Sequence, residues 1–157
     1  FSGRIKENGV MKKRLAGYRE ALSEYEIPFC EELIFEGDID YKDGIDSARR
    51  LMDAGLPATA VVAAADILAI GAAKAFYDQG VKVPDDISLM GFDDLEIAQY
   101  MTPGLTTVRQ QISLKGEKAV ELLIHNIDEP ELTKQELILP VSVAERGSVR
   151  EIKLETT

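Results

Sequence analysis

Apolar side chains recur at Met11, Leu15, Tyr18, Leu22 and Tyr25, alternating steps of four and three that predict an amphipathic helix from Val10 to Tyr25. Ile27-Pro28 stops it, because a residue ahead of proline is pushed out of helical geometry. Leu33-Ile34-Phe35 reads as a short strand and Gly37-Asp38 as a turn. A second helix is expected over residues 43–54, with Ile45, Ala48, Leu51 and Met52 inward and Gly55 and Pro57 ending it. Ala60-Val61-Val62-Ala63-Ala64 is apolar without alternation, the pattern of a strand covered on both faces. Asp66 is placed to cap a helix over 67–79, which Gly80 closes. Ile87 to Phe92 forms another buried strand, followed by Asp93-Asp94 and a short helix near 95–100.

Helix and strand alternate through this stretch, which predicts an α/β fold with a doubly wound parallel sheet. In such sheets ligands sit beyond the carboxyl ends of the strands. Asp66, Asp93 and the Gly37-Asp38 turn all fall at such ends. After Pro103 the pattern changes: Leu105 to Arg109 is extended, a strongly apolar helix follows over about 113–126, and Leu137 to Val143 reads as a last strand. Pro140 favours an edge or a bulge for that strand, and the tail after Val149 is expected to be loose.

With 157 residues, 45% of them hydrophobic, the chain can bury a core of its own, so disorder throughout is excluded. A formal net charge of −10 argues against direct nucleic-acid binding by this region, since an acidic surface repels phosphates. Cys30 is the single cysteine, which rules out an intrachain disulfide and suits a reducing, cytoplasmic setting. His125, the single histidine, sits in an apolar helical run. No stretch reaches the roughly 20 apolar residues that span a bilayer, and no membrane partner is expected. The opening Phe1-Ser2-Gly3-Arg4 has no signal-peptide pattern and reads as a chain cut at a strand end.

Two carboxylates at a strand end, Asp93 and Asp94, can accept sugar hydroxyls, hold Mg²⁺ beside a phosphoacceptor, or form an acid–base pair. The phosphoacceptor arrangement also needs an acidic pair after the first strand and a lysine after the fifth, and neither is in place. No metal-ligand spacing, phosphate loop or Ser-His-Asp set occurs, so no cofactor, metal or catalytic residue is assigned and an enzyme is not expected. Position favours a ligand role for Asp93, while Asp94 can equally cap the next helix. Arg14, early in the helix after a strand, can aim its planar fork into the cleft; taken alone, a solvent-facing arginine explains it as well.

Several segments together resemble the effector-binding region of the LacI/GalR family of bacterial repressors. They are Arg14 to Leu22, Gly37-Asp38 with Gly44, Pro57 to Val61, Asp66 to Gly71, Gly80 to Ser88, Gly91-Phe92-Asp93-Asp94, Pro103 to Val108, and Arg146-Gly147-Ser148. Each is weak alone; the series in this order is specific and covers most of the chain. The resemblance implies a periplasmic-binding-protein-like C-terminal lobe over residues 1–111. It further implies a crossover helix over 112–135 belonging to an absent N-terminal lobe, and a return strand and tail over 136–157.

The same resemblance implies that Arg14 and Asp93 hydrogen-bond a small-molecule effector, a sugar or sugar phosphate, with Gln110 at a crossover able to touch it. Ile39 falls where many members carry a ring that stacks on the sugar, and Ala65 stands in place of a common asparagine. Asp66 is first a helix cap and second a ligand contact. A homodimer is implied through Ile70, Ala73, Ile97 and Met101, and DNA contact only through the missing N-terminal head. Ala119, Val120, Leu123 and Ile127 would face the absent lobe and are expected to pack instead against a neighbouring chain or in a displaced position. A transporter's sugar-binding protein, which shares the fold, is the alternative.

Overall fold

A computed structural model describes residues 1–7, 9–128 and 135–151. The elements run β1 (Ser2–Gly3), α1 (Val10–Glu24), β2 (Glu36–Gly37), α2 (Tyr41–Asp53), β3 (Ala60–Val62), α3 (Asp66–Asp78), β4 (Ser88–Asp93), β5 (Thr106–Arg109), α4 (Ile112–Asp128) and β6 (Ser142–Ala144). Single 3-10 turns lie at Glu31–Leu33 and Glu96–Tyr100.

The strands β3-β4-β5-β6 form one sheet, and β1 pairs with β2 beside it. Phe1 joins the two, donating its amino group to the Val62 carbonyl and accepting from the Ala64 amide at 2.8 Å. The spatial order is therefore β2-β1-β3-β4-β5-β6, which reverses direction between β1 and β3. Every pairing is parallel except β5 with β6. An order that reverses in this way opens a crevice at the carboxyl ends of the strands flanking the reversal.

Helices cover both faces, as successive residues of β4 show. A Cβ on Gly91 would fall on the Asp66 carboxylate of α3, while the Phe92 ring lies under the Arg14 guanidinium of α1. Neighbouring strand residues point to opposite faces, so α1 and α3 lie on opposite sides. The core sits on the α2–α3 side, where Phe76, Leu68, Leu89 and Leu105 are fully buried. Gly44 and Gly71 let α2 and α3 cross closely: a Cβ on Gly71 would lie 3.1 Å from the Gly44 Cα.

Asp40 caps α2, accepting from the Asp43 amide at 2.7 Å. Asp40→Ala is expected to cost about 1 kcal/mol, read as a shift in the urea midpoint. Gly55 and Gly80, both at positive φ, follow the ends of α2 and α3 as the sequence predicts.

Five expectations need correction. The strand at Leu33–Phe35 is displaced: Glu31–Leu33 is a 3-10 turn, and pairing begins at Glu36, opposite Ser2. Gly37 thus ends a strand instead of opening a turn. The run Ala60–Ala64 is not covered on both faces, for Val62 is 48% exposed while Val61 is buried. Its open face is the α1 side, and α1 contributes no fully buried residue. Tyr25 is exposed past the end of α1. The last strand is confined to Ser142–Ala144, beyond Pro140, whose missing N–H keeps it out of the ladder. The expected loose tail lies mostly beyond residue 151, outside the described residues, as do residues 129–134 of the crossover.

Candidate functional site

Arg4, Ala64, Asp93 and Gln110 lie at or just past the carboxyl ends of β1, β3, β4 and β5, and Arg14 of α1 reaches Ala64 and Asp93 from the side. The Arg14 guanidinium stacks over the Phe92 ring with its centre 3.7 Å from the centroid. One terminal nitrogen donates to the Ala64 carbonyl, and the other lies 3.7 Å from Oδ1 of Asp93. Nε2 of Gln110 donates to the same Oδ1 at 2.6 Å. Of the five expected ligand residues, Arg14 and Gln110 thus both face Asp93.

Asp93 and Arg14 are each only partly exposed, with side chains 26% and 20% accessible. Burial pushes the Asp93 carboxyl above its usual range, against the opposing effects of the Gln110 hydrogen bond and the Arg14 charge. Burial likewise holds Arg14 below the usual guanidinium value, against the Asp93 charge. A partly desolvated carboxylate facing a partly desolvated guanidinium makes a strong acceptor–donor pair for hydroxyl groups, since charge-assisted hydrogen bonds gain strength away from bulk water.

Asp66 is not a helix cap. The residue ahead of α3 is Ala65, and no side chain caps that helix. The Asp66 carboxylate is fully buried and points across the sheet, accepting from Thr107 Oγ1 at 2.5 Å and from the Leu95 amide at 2.7 Å. It supports the turn after β4 from behind, where Gly91 leaves it room. The Asp94 cap is corrected in the same way. Leu95 occupies the position before the 3-10 turn, and no side chain caps that turn. Both Asp94 oxygens instead hold arginines: Oδ2 accepts from Arg109 Nε at 2.5 Å and Oδ1 from Arg146 at 2.6 Å.

Burial raises the Asp94 pKa, but the hydrogen bonds and charges of Arg109 and Arg146 outweigh it and leave the group below the usual carboxylate range. A depressed folded pKa stabilises the fold above the unfolded value of about 4, and that stability is lost as pH falls through the folded value. Asp94→Asn should therefore lower the melting temperature most at neutral pH, with the gap from wild type closing as pH drops below about 4.

Ile39 lies beyond the end of β2, 46% exposed, and packs over β1: a Cβ on Gly3 would be 2.6 Å from Ile39 Cγ1. It forms an apolar wall on the rim beside the Arg4–Asp38 ion pair. Among the expected dimer residues, Ala73 and Met101 pack on the core of their own chain, Ile70 is half-buried and Ile97 is 48% exposed. Tyr77 and Tyr100, 80% and 68% exposed, extend the same region and were not singled out from the sequence. Tyr77 stands seven residues after Ile70, one helical face along, a spacing that could have found it. Phe92, Thr107, Arg109 and Arg146 also had no role assigned. No ligand-like cluster of His, Cys, Asp or Glu suited to a metal occurs among the described residues.

Residues 2–149 match the family described as periplasmic binding protein-like domain. The ribose operon repressor of Escherichia coli K12 is 38% identical over 135 residues, covering 86% of this chain and 41% of the repressor. The ribose operon repressor of Haemophilus influenzae is 35% identical over 153 residues, 98% of this chain and 46% of that protein. A LacI family transcriptional regulator from Enterococcus faecium, solved with bound ribose, superimposes with a TM-score of 0.83 at 31% identity, covering 90% of this chain and 52% of that one. The chain thus spans less than half the length of the curated relatives it matches.

Proposed function

The chain belongs to the periplasmic binding protein-like domain family, in the branch of the LacI-type regulators, and from that premise we propose that it is the effector-sensing portion of a sugar-responsive transcription repressor. The observation that carries this reading is the convergence of Arg14, Asp93 and Gln110 at the crevice where the strand order reverses. Arg14 offers donors and Asp93 acceptors to vicinal hydroxyls, and Ile39 supplies an apolar rim. Ribose is the first candidate, because two relatives are ribose operon repressors and one solved neighbour holds ribose. The relatives named are gene regulators, which favours the repressor over a transporter's binding protein.

In this reading residues 1–111 are the C-terminal lobe, 112–135 cross to an N-terminal lobe outside this chain, and 136–157 return. Helix α4 has no buried residue, and its Val120, Leu123 and Ile127 are 56%, 59% and 67% exposed. Ala119 and Leu122 line a cavity of about 350 Å³ shared with Leu137, Leu139 and Val141. Among the described residues of this chain the stripe thus gains no displaced cover, and in the full-length protein the N-terminal lobe covers it. Effector binding between the lobes biases their angle, and a DNA-binding segment outside the chain reads it out. A second copy pairs through the α3 and 97–101 region, where Ile70 and Ile97 are joined by Tyr77 and Tyr100. Calorimetric titration of the full-length protein with ribose and a panel of free and phosphorylated sugars tests the reading. Saturable binding of at least one sugar is expected; a panel without binding contradicts it.

A further inference from the structure

Asp93 and Asp94 occupy positive φ in succession, at 118° and 54°, a backbone that side-chain-bearing residues rarely adopt. Such a turn persists only where its surroundings over-determine it. The surroundings differ sharply between the two residues. Asp93 has one hydrogen bond and a longer ion pair. Asp94 is gripped on every side: its carboxylate takes Arg109 and Arg146, and its amide reaches Thr107 Oγ1 at 3.4 Å. The next amide, of Leu95, is held by the buried Asp66. Arg146 is itself pinned, donating to the Leu105 carbonyl at 2.7 Å while its amide donates to Thr106 Oγ1 at 3.0 Å.

We propose that Asp94 is a positioning residue, whose ion triad with Arg109 and Arg146 fixes the strained turn and thereby aims Asp93 into the cleft. The triad joins β4, β5 and the segment after β6, and Arg109 directly precedes the Gln110 that bonds Asp93. Fixing Arg109 therefore also fixes the second partner of the Asp93 carboxylate. Asp94 is withdrawn from the effector, its side chain only 11% exposed and enclosed by its two arginines. This inference rests on the reading of Asp93 as the effector's acceptor.

The test combines structure and binding. Crystal structures of Asp94→Asn and Asp94→Gly separate backbone from charge, since both residues tolerate positive φ but neither can hold the two arginines as an anion does. In both, Asp93 is expected to leave its present backbone geometry and lose the Gln110 contact. Arg109→Met, at a side chain 54% exposed, is a variant that leaves the core untouched. In the full-length protein it should weaken ribose binding about fivefold, and Asp94→Asn about tenfold, with both measured well below the melting temperature. A merely structural Asp94 would lower the melting temperature and leave ribose affinity and the Asp93 geometry unchanged; that result overturns the inference. If Asp93→Asn binds ribose like wild type, the effector-site reading fails instead. If wild type does not bind ribose, the ribose assignment falls, and the Asp93 geometry in the two Asp94 variants still decides the positioning role.

Discussion

Replacing Asp93 by alanine in the full-length protein is expected to weaken effector binding roughly 100-fold, about 3 kcal/mol. The reason lies in how little else at the cleft can accept a hydroxyl. The Ala64 carbonyl is taken by Arg14, and both Asp94 oxygens are taken by arginines. Asp66 is wholly buried behind the turn. Asp93, only partly exposed and held by one amide and one distant guanidinium, is the charged acceptor left to a ligand. Removing it also strands Arg14, whose stacking on Phe92 keeps it in place without a counter-charge. The loss therefore includes an unpaired donor as well as a missing acceptor. Calorimetry on the variant reads the change directly, with the melting curve showing that the fold is intact.

Gly91→Ala should destabilise the fold by about 4 kcal/mol, a large share of the 5–15 kcal/mol typical of a domain. The added Cβ would fall on Asp66 Oδ1 and lie 3.0 Å from Leu105 Cδ2. Neither neighbour can yield, because both are fully buried. Asp66 would have to release Thr107 or Leu95, leaving a buried carboxylate short of donors. Gly116→Ala provides the control: its Cβ meets nothing within 4 Å, and alanine is favoured over glycine inside a helix, so a gain of about 0.5–1 kcal/mol is expected. Urea unfolding of the two variants checks both signs. A shift below 1 kcal/mol for Gly91→Ala would contradict the role given to Asp66.

Much of this architecture is legible in the residues. Periodicity predicts α1, α2 and α3 to within a few positions, and the mostly apolar stretch 87–92 predicts β4, whose ladder ends on Asp93. Looking for site candidates at strand ends then reaches Asp93, which does close β4, without any contact information. The failures share a cause. A short polar side chain before a helix looks like a cap, yet Asp66 and Asp94 are both drawn away by partners 15 to 52 residues distant in sequence. Local spacing cannot reveal that Arg146, beyond the crossover, returns to close on Asp94. In the same way, Leu33-Ile34-Phe35 has strand-like residues, but the register with β1 places pairing at Glu36 and Gly37. Val62 is apolar and half-exposed, for the helix above it is amphipathic without reaching full burial.

Arg14 and Asp93 are the proposed effector-binding pair of a sugar-sensing lobe. A crystal structure of the full-length protein with its bound sugar tests that assignment most directly. The expected result is hydroxyl oxygens within about 3 Å of an Asp93 carboxylate oxygen and an Arg14 nitrogen, at the carboxyl ends of the strands. A sugar bound elsewhere, with the Arg14–Asp93 cleft unengaged, would contradict the account.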